Sequence, residues 1–216
     1  MFVGDAVKPL PVAAVILAAG GSTRLGEPKQ LLRYQGEPLV ARAVRSAGDI
    51  GSSPVVVVTG ANAAAVEAAL QPVPFARPVF NADWQAGMGS SIRTGIAAVL
   101  ASDIFFDAVL LLVCDQPLVD ETLLLRLCEA YRATEKKIVA AEYGDAWGVP
   151  CLFERSVLPE LATLTGSGGA KPVIERCRRT GDAISIPFPG GAFDVDTPAD
   201  WERWQETEAD KTGEPT

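Results

Sequence analysis

The 216-residue sequence contains no histidine. That excludes Ser-His-Asp and Cys-His catalysis in their usual forms, and it excludes imidazole ligation of a metal. Chemistry has to come from carboxylates, lysine, arginine, backbone amides or an oxygen-bound cation. Cysteine is scarce: Cys114, Cys128, Cys151 and Cys177 stand far apart and form no CxxC pair. This spacing suits neither a zinc site nor a disulfide framework. It fits a reducing cytoplasm, with the thiols as small apolar core residues. Positive charge is also in deficit, with Lys+Arg 19 against Asp+Glu 27 and a formal net charge of −8. A phosphate backbone needs a basic face, so nucleic acid is not an expected partner. No apolar run approaches the ~20 residues that span a bilayer. The first residues, MFVGDAVKPLP, carry Asp5 and prolines where a targeting segment would carry basic residues and a sustained apolar core. The expectation is a cytoplasmic protein without a membrane partner.

Apolar residues are plentiful, at 48% of the chain. The length suits one domain with a sizeable core, expected over residues 1–206, with 207–216 as a polar tail. Short β-branched runs alternate with helical patterns, which signals βαβ units and a mostly parallel sheet. Strands are expected at 12-VAAVIL-17, 54-PVVVVT-59, 77-RPVF-80, 108-AVLLLV-113 and 138-IVAAE-142, and helices at 38–47, 61–70, 90–101 and 120–134. VVVV and VLLLV are apolar throughout, as strands covered on both faces should be. After Glu142 the regularity falls. YGDAWGVP reads as a loop leading to 151-CLF-153, with a short helix near 156–161 and another opened by 166-GSGGAK-171. In 193-FDVDTPADWERW-204, Thr197 is placed to cap a helix whose first position is Pro198.

The loop 18-AAGGSTRLGEPKQ-30 directly follows the first strand. It is not a P-loop: Gly21 and Gly26 have the spacing, but Glu27-Pro28 follow, and Pro28 has no amide to donate. The fingerprint G-x-G-x-x-G is absent as well. The ingredients of an anion cradle nevertheless remain. Gly20 and Gly21 allow close backbone approach, successive amides can form a nest, and Arg24 and Lys29 supply charge.

The string L-A-A-G-G-S-T-R-L-G-E-P-K resembles the signature of the MobA-like nucleotidyltransferases, and within them most resembles the molybdenum cofactor cytidylyltransferases. Four further blocks are similar and in the family's order: 81-NADWQAGMGSSIRTG-95, 115-DQP-117, 165-TGSGGAK-171 and 194-DVDTPAD-200. The likeness runs from Val12 to about Trp204. It implies a single Rossmann-like three-layer α/β/α domain of the glycosyltransferase-A-like nucleotidyltransferase type. It also implies Mg²⁺-dependent transfer of CMP from CTP to the phosphate of molybdopterin, with release of pyrophosphate. A phosphate monoester is already a nucleophile, so such a reaction needs positioning and charge neutralisation, and no histidine.

By this resemblance Arg24 and Lys29 are the catalytic cations on the triphosphate. Leu17, Ala18, Ala19, Gly20, Gly21, Gly87 and Ser91 would complete the nucleotide site. Asp115, at the carboxyl end of VLLLV, and Asp196 would hold Mg²⁺, with Asp194 as the alternative to Asp196. Trp147, Gly148 and Lys171 would face the acceptor, while Phe153 joins Trp147 as either acceptor wall or core. The Ala-Ala-Gly form of the loop is similar to the cytidylyl members. Two positions depart from the family pattern, Val149 in GVP and Ser167 in GSGGAK, and both fall on the acceptor side. A sugar phosphate or other small phosphate is therefore an alternative acceptor, with UTP or GTP as alternative donors. A non-catalytic accessory protein in molybdenum cofactor delivery is the alternative of another class. A molybdoenzyme or an accessory chaperone is the protein partner that the resemblance implies.

Overall fold

A computed structural model describes residues 10–23, 25–192, 195 and 197–212, the stretch 206–212 as backbone only. In chain order the elements are β1 (Val12–Ala18), the two-residue strands β2 (Arg33–Tyr34) and β3 (Glu37–Pro38), α1 (Leu39–Asp49), β4 (Val55–Thr59), α2 (Ala63–Ala69), β5 (Ala76–Phe80) and α3 (Met88–Leu100). Then follow β6 (Ala108–Val113), α4 (Glu121–Ala133), β7 (Ile138–Tyr143), β8 (Ala146–Glu154), α5 (Leu158–Leu161), α6 (Lys171–Thr180), β9 (Ala183–Pro187) and α7 (Pro198–Thr212).

Seven strands form one sheet in the order β5-β4-β1-β6-β8-β7-β9. Only β8 runs against the others, antiparallel to both β6 and β7. The expected mostly parallel three-layer architecture is therefore present. Side chains on β1 divide by the period of two. Ala13, Val15 and Leu17 join one core with α3, α5 and α6. Val12, Ala14, Ile16 and Ala18 join the other with α1, α2 and α4. Gly95 is where α3 meets the sheet: a Cβ there would lie 2.4 Å from Val15 Cγ1. Cys114 and Cys128 lie in one core and Cys151 and Cys177 in the other, all four free and buried, as expected of small apolar residues.

Two segments correct the sequence reading. Residues 146–150 of YGDAWGVP are not a loop but the first half of β8, which pairs with β7 across a register shift at Ala140/Ala141. Glycines and a proline make the stretch read as a turn, yet β7 pairs with its residues 146–148, and that context overrides local propensity. The second is β9, an edge strand beside β7 that the sequence reading left out. Ser185 and Pro187 interrupt its apolar residues, and none after Ala183 is fully buried, so no continuous apolar run marks it.

The expected helix cap is present at α7. Thr197 Oγ1 accepts from Asp200 N at 3.2 Å, while Asp200 Oδ2 accepts from Thr197 N at 2.9 Å. The two side chains satisfy each other's orphan amides in the manner of a capping box. Among the described residues no helix is long and apolar enough to cross a membrane.

Candidate active site

Chain order reverses at β1. The path β1-β4-β5 builds one side of the sheet, and β6 returns to the other side of β1. Crevices form at such switch points beyond the carboxyl ends of the strands. The loop after β1 and the turn after β6 meet there, around a cleft of about 320 Å³.

The loop after β1 owes its shape to small residues and one glutamine. A Cβ at Gly60 would lie 2.6 Å from the Ala19 carbonyl oxygen, so the bare glycine lets β4's end approach the loop. Ala61 N donates to that same carbonyl at 3.2 Å. Gln30 is completely buried beneath the loop and donates through Nε2 to the carbonyls of Ala18 and Gly20, at 3.1 and 2.7 Å. Ser22, at φ 49°, accepts from Lys29 N at 3.0 Å. Pro28 therefore costs the loop nothing: the amide that serves here belongs to the next residue.

Leu17, Ala18, Ala19, Gly20, Gly21, Lys29, Gly87 and Ser91 all line this cleft, together with Asp115. Lys29 Nζ forms an ion pair with Asp115 Oδ2, and both side chains are largely buried. The expected phosphate cation and the expected metal carboxylate, 86 positions apart in sequence, are thus in direct contact. Arg24, Asp194 and Asp196 lie outside the described residues. Among the described residues no group of three or more Cys, Asp or Glu side chains could hold a metal. Asp115 by itself fits a cation such as Mg²⁺, which takes one or two carboxylates and completes its shell with phosphate oxygens and water. Next to it, burial first and the Asp115 charge second push the Cys114 thiol up to about 12, so it stays protonated.

Asn81 and Trp84 are parts of the site that residue-by-residue reading passed over. Asn81 is buried and donates to Ser90 Oγ and Ser91 Oγ at 2.9 and 3.0 Å, which places both hydroxyls at the start of α3. Trp84 lines the cleft, with its ring 3.5 Å from where a Cβ at Gly21 would sit. Both stand in the block NADWQAGMGSSIRTG, whose N-x-x-W is their signal in the sequence. Gln30 gave a subtler one, a polar residue directly between Lys29 and the apolar pair Leu31-Leu32.

A second cleft of about 340 Å³ adjoins the first and shares Met88, Val113 and Asp115 with it. Trp147, Gly148 and Lys171 line it, as does Val149. Trp147 carries the Arg178 guanidinium 4.5 Å from its ring centre, whereas Phe153 is fully buried core. Gly148 makes room for Tyr143: a Cβ there would lie 2.0 Å from the phenol oxygen. Gln116, also lining this cleft, donates to the Gly191 carbonyl at 3.3 Å. Its turn is held from behind by Arg42, which donates to the Pro117 carbonyl at 2.9 Å.

The two clefts are built against each other. Gly89 N donates to the Gly166 carbonyl at 2.9 Å. A Cβ at Gly87 would lie 2.7 Å from that oxygen, and one at Gly169 would lie 2.6 Å from Met88 Sδ. The positions that side chains at Gly87 and Gly89 would take are therefore filled by the 165–167 turn, while Gly87 itself still lines the first cleft.

A model of the MobA-like NTP transferase domain matches residues 14–181. A relative from Paenarthrobacter nicotinovorans, named nicotine blue oxidoreductase, is 35% identical over 203 residues, covering 90% of this chain and 96% of its own. Among solved structures, Rv0371c from Mycobacterium tuberculosis H37Rv is 30% identical and has a TM-score of 0.72, covering 91% of this chain and 98% of its own. The same protein in complex with manganese matches at 29% identity with a TM-score of 0.70, over 91% of this chain and 98% of its own. A nucleotidyl transferase from Methanothermobacter (Mth528), 23% identical and covering 91% of this chain and 97% of its own, shares the fold with a TM-score of 0.77.

Proposed function

This chain belongs to the MobA-like NTP transferase family and is a nucleotidyltransferase, and we propose that it transfers CMP from CTP to the phosphate of molybdopterin, with Mg²⁺ as the metal. The observation that carries the proposal is the pair of adjoining clefts that meet at Asp115, one floored by the glycine loop and the other walled by Trp147. In this reading Leu17, Ala18, Ala19, Gly20, Gly21, Gly87 and Ser91 hold the nucleotide, and Arg24 and Lys29 neutralise its triphosphate. Trp147, Gly148 and Lys171 take the acceptor, with Lys171 at the first turn of α6 facing its phosphate. Asp115 and Asp196 are the carboxylates for Mg²⁺, which when bound would offset the charge of the phosphates. An acceptor phosphate oxygen forms the new bond to the α-phosphorus, the bond from that phosphorus to the β-phosphate oxygen breaks, and pyrophosphate leaves with its electron pair.

Lys29 has a specific part in this sequence. Its ammonium pairs with Asp115, and a triphosphate offers it a stronger anionic partner. Moving Lys29 to the phosphates frees Asp115 for the cation, so nucleotide and metal are expected to bind together better than either binds alone. The Ala18-Ala19-Gly20 form of the loop supports CTP. The planar wall of Trp147 supports a flat heterocyclic acceptor over a sugar phosphate. The catalytic unit in this reading is 1–206, with 207–216 as a tail, and the setting is the cytoplasm, with a molybdoenzyme or an accessory chaperone receiving the product.

The deciding experiment is a matrix of the four NTPs against molybdopterin, sugar phosphates and no acceptor, read as pyrophosphate release with and without Mg²⁺. Release from CTP only with molybdopterin and Mg²⁺ is the expected result. Turnover confined to GTP or UTP, or to a sugar phosphate, overturns the assignment of substrates. The activity carried by the name of the Paenarthrobacter relative is tested in a parallel arm, with nicotine blue and a two-electron reductant. Consumption of that reductant with no pyrophosphate from any pair would replace the proposal.

A further inference from the structure

The glycine loop can serve as an anion cradle only if its amides point into the cleft, and Gln30 bears on that direction. Gln30 is completely buried. Both protons of its Nε2 are engaged, one by the Ala18 carbonyl and one by the Gly20 carbonyl. Carbonyls only accept, so the amide nitrogen must face them, and Oε1 is left to receive Ser22 Oγ at 3.4 Å. Every polar atom of this side chain is spent on the loop, with none remaining for a ligand.

The consequence follows from peptide geometry. In a planar trans peptide the C=O and the N–H of the next residue point in opposite directions. Drawing the Ala18 and Gly20 carbonyls down onto Gln30 therefore turns the amides of Ala19 and Gly21 up, away from it. The intervening Ala19 carbonyl is turned the other way and taken by Ala61 N. Among the described residues, the Gly21 amide so turned meets no acceptor. Lys29 belongs to the same unit, since it precedes Gln30 and its amide is held by Ser22 Oγ.

We infer that Gln30 is a positioning residue: it sets the direction of the glycine-loop amides and ties them to Lys29, so that nucleotide affinity depends on a side chain that offers the nucleotide nothing itself. The inference rests on the reading of this cleft as a nucleotide site. Its first test is therefore made without any nucleotide. Gln30→Met keeps the volume and removes both donors. In ¹⁵N-labelled protein, the amide resonances of Ala19, Gly20 and Gly21 should move substantially in this variant while those of β6 and α4 stay in place. Unmoved loop resonances overturn the inference, whatever the protein binds.

The second test is calorimetric titration with CTP and the other three NTPs in Mg²⁺. Gln30→Met should weaken the wild type's preferred nucleotide on the order of tenfold, equivalent to about 1.4 kcal/mol, with a thermal midpoint close to the wild type. A merely structural role would lower the midpoint and leave the affinity of the folded protein unchanged, which also overturns the inference. If Gln30→Met does not fold, Ser22→Ala takes its place, because it removes the loop-side contact to both Gln30 and Lys29. It should give a smaller loss of the same kind, and affinity equal to wild type would count against the inference. Wild-type protein that binds none of the four nucleotides would refute the nucleotide reading and leave the resonance test to judge Gln30 separately.

Discussion

Alanine at Gly87 should be the costliest of the glycine substitutions around the cleft, and the reason lies in two separate terms. The backbone sits at φ 102° and ψ 179°, a region that is essentially restricted to glycine and costs a side-chain-bearing residue about 1–3 kcal/mol. The new Cβ would also lie 2.7 Å from the Gly166 oxygen, well inside the 3.4 Å at which ordinary contact begins. The 165–167 turn would have to retreat, stretching the 2.9 Å bond from Gly89 N to Gly166 O, and losing that bond adds about 1 kcal/mol. Together these amount to about 2–4 kcal/mol. For a chain of this size that lowers the thermal midpoint by roughly 5–15 °C. Gly20→Ala is the control. A Cβ at Gly20 meets nothing within 4 Å, and it should change stability by no more than about 0.5 kcal/mol. Urea unfolding at constant m-value measures both. Gly87→Ala within about 0.5 kcal/mol of wild type, or Gly20→Ala as harmful as Gly87→Ala, would refute the argument that the two turns are locked together by missing side chains.

Three further outcomes are expected. Asp115→Ala should reduce turnover by about 10²-fold or more while calorimetry shows a smaller loss of nucleotide affinity; equal losses in both would deny Asp115 its place at the reacting phosphates. Thr197→Ala should cost about 1 kcal/mol by uncapping α7, seen as faster hydrogen exchange at 198–201, and unchanged exchange there would show the cap to be idle. Burial holds the Cys114 thiol near 12 and the Cys128 thiol near 11, against an ordinary 9.0. Above pH 9 the unfolded chain releases protons that the folded chain keeps, so stability must fall as pH rises, by up to about 1.4 kcal/mol per pH unit for each thiol. Urea midpoints at pH 7, 9 and 10 under reducing conditions test this, and Cys114→Ala should flatten the decline; a flat wild-type profile would contradict it.

Much of the site could be read before folding because it is local. The apolar run 12–17, the loop that follows and Asp115 after VLLLV are each contained within a strand and its succeeding turn, and the sheet places such turns at one edge whatever else it does. The blocks carrying Asn81, Trp84 and Ser91 were legible as motifs, although not the hydrogen bonds by which Asn81 sets two hydroxyls in place.

What escaped the sequence was the later half of the sheet and the contacts between distant turns. Residues 146–150 carry the marks of a turn, and only the presence of β7 beside them makes them a strand. That the 165–167 turn packs where Gly87 and Gly89 lack side chains is a contact between segments far apart in the chain. Composition, strand-helix alternation and the glycine loop were determined by the sequence itself, since each depends on neighbours a few positions away. The meeting of Lys29 with Asp115, the turning of the loop amides by Gln30 and the joining of the two clefts were decided by the tertiary structure alone, because hydrogen bonds, ion pairs and close backbone contacts depend on distance in space, which spacing along the chain does not encode.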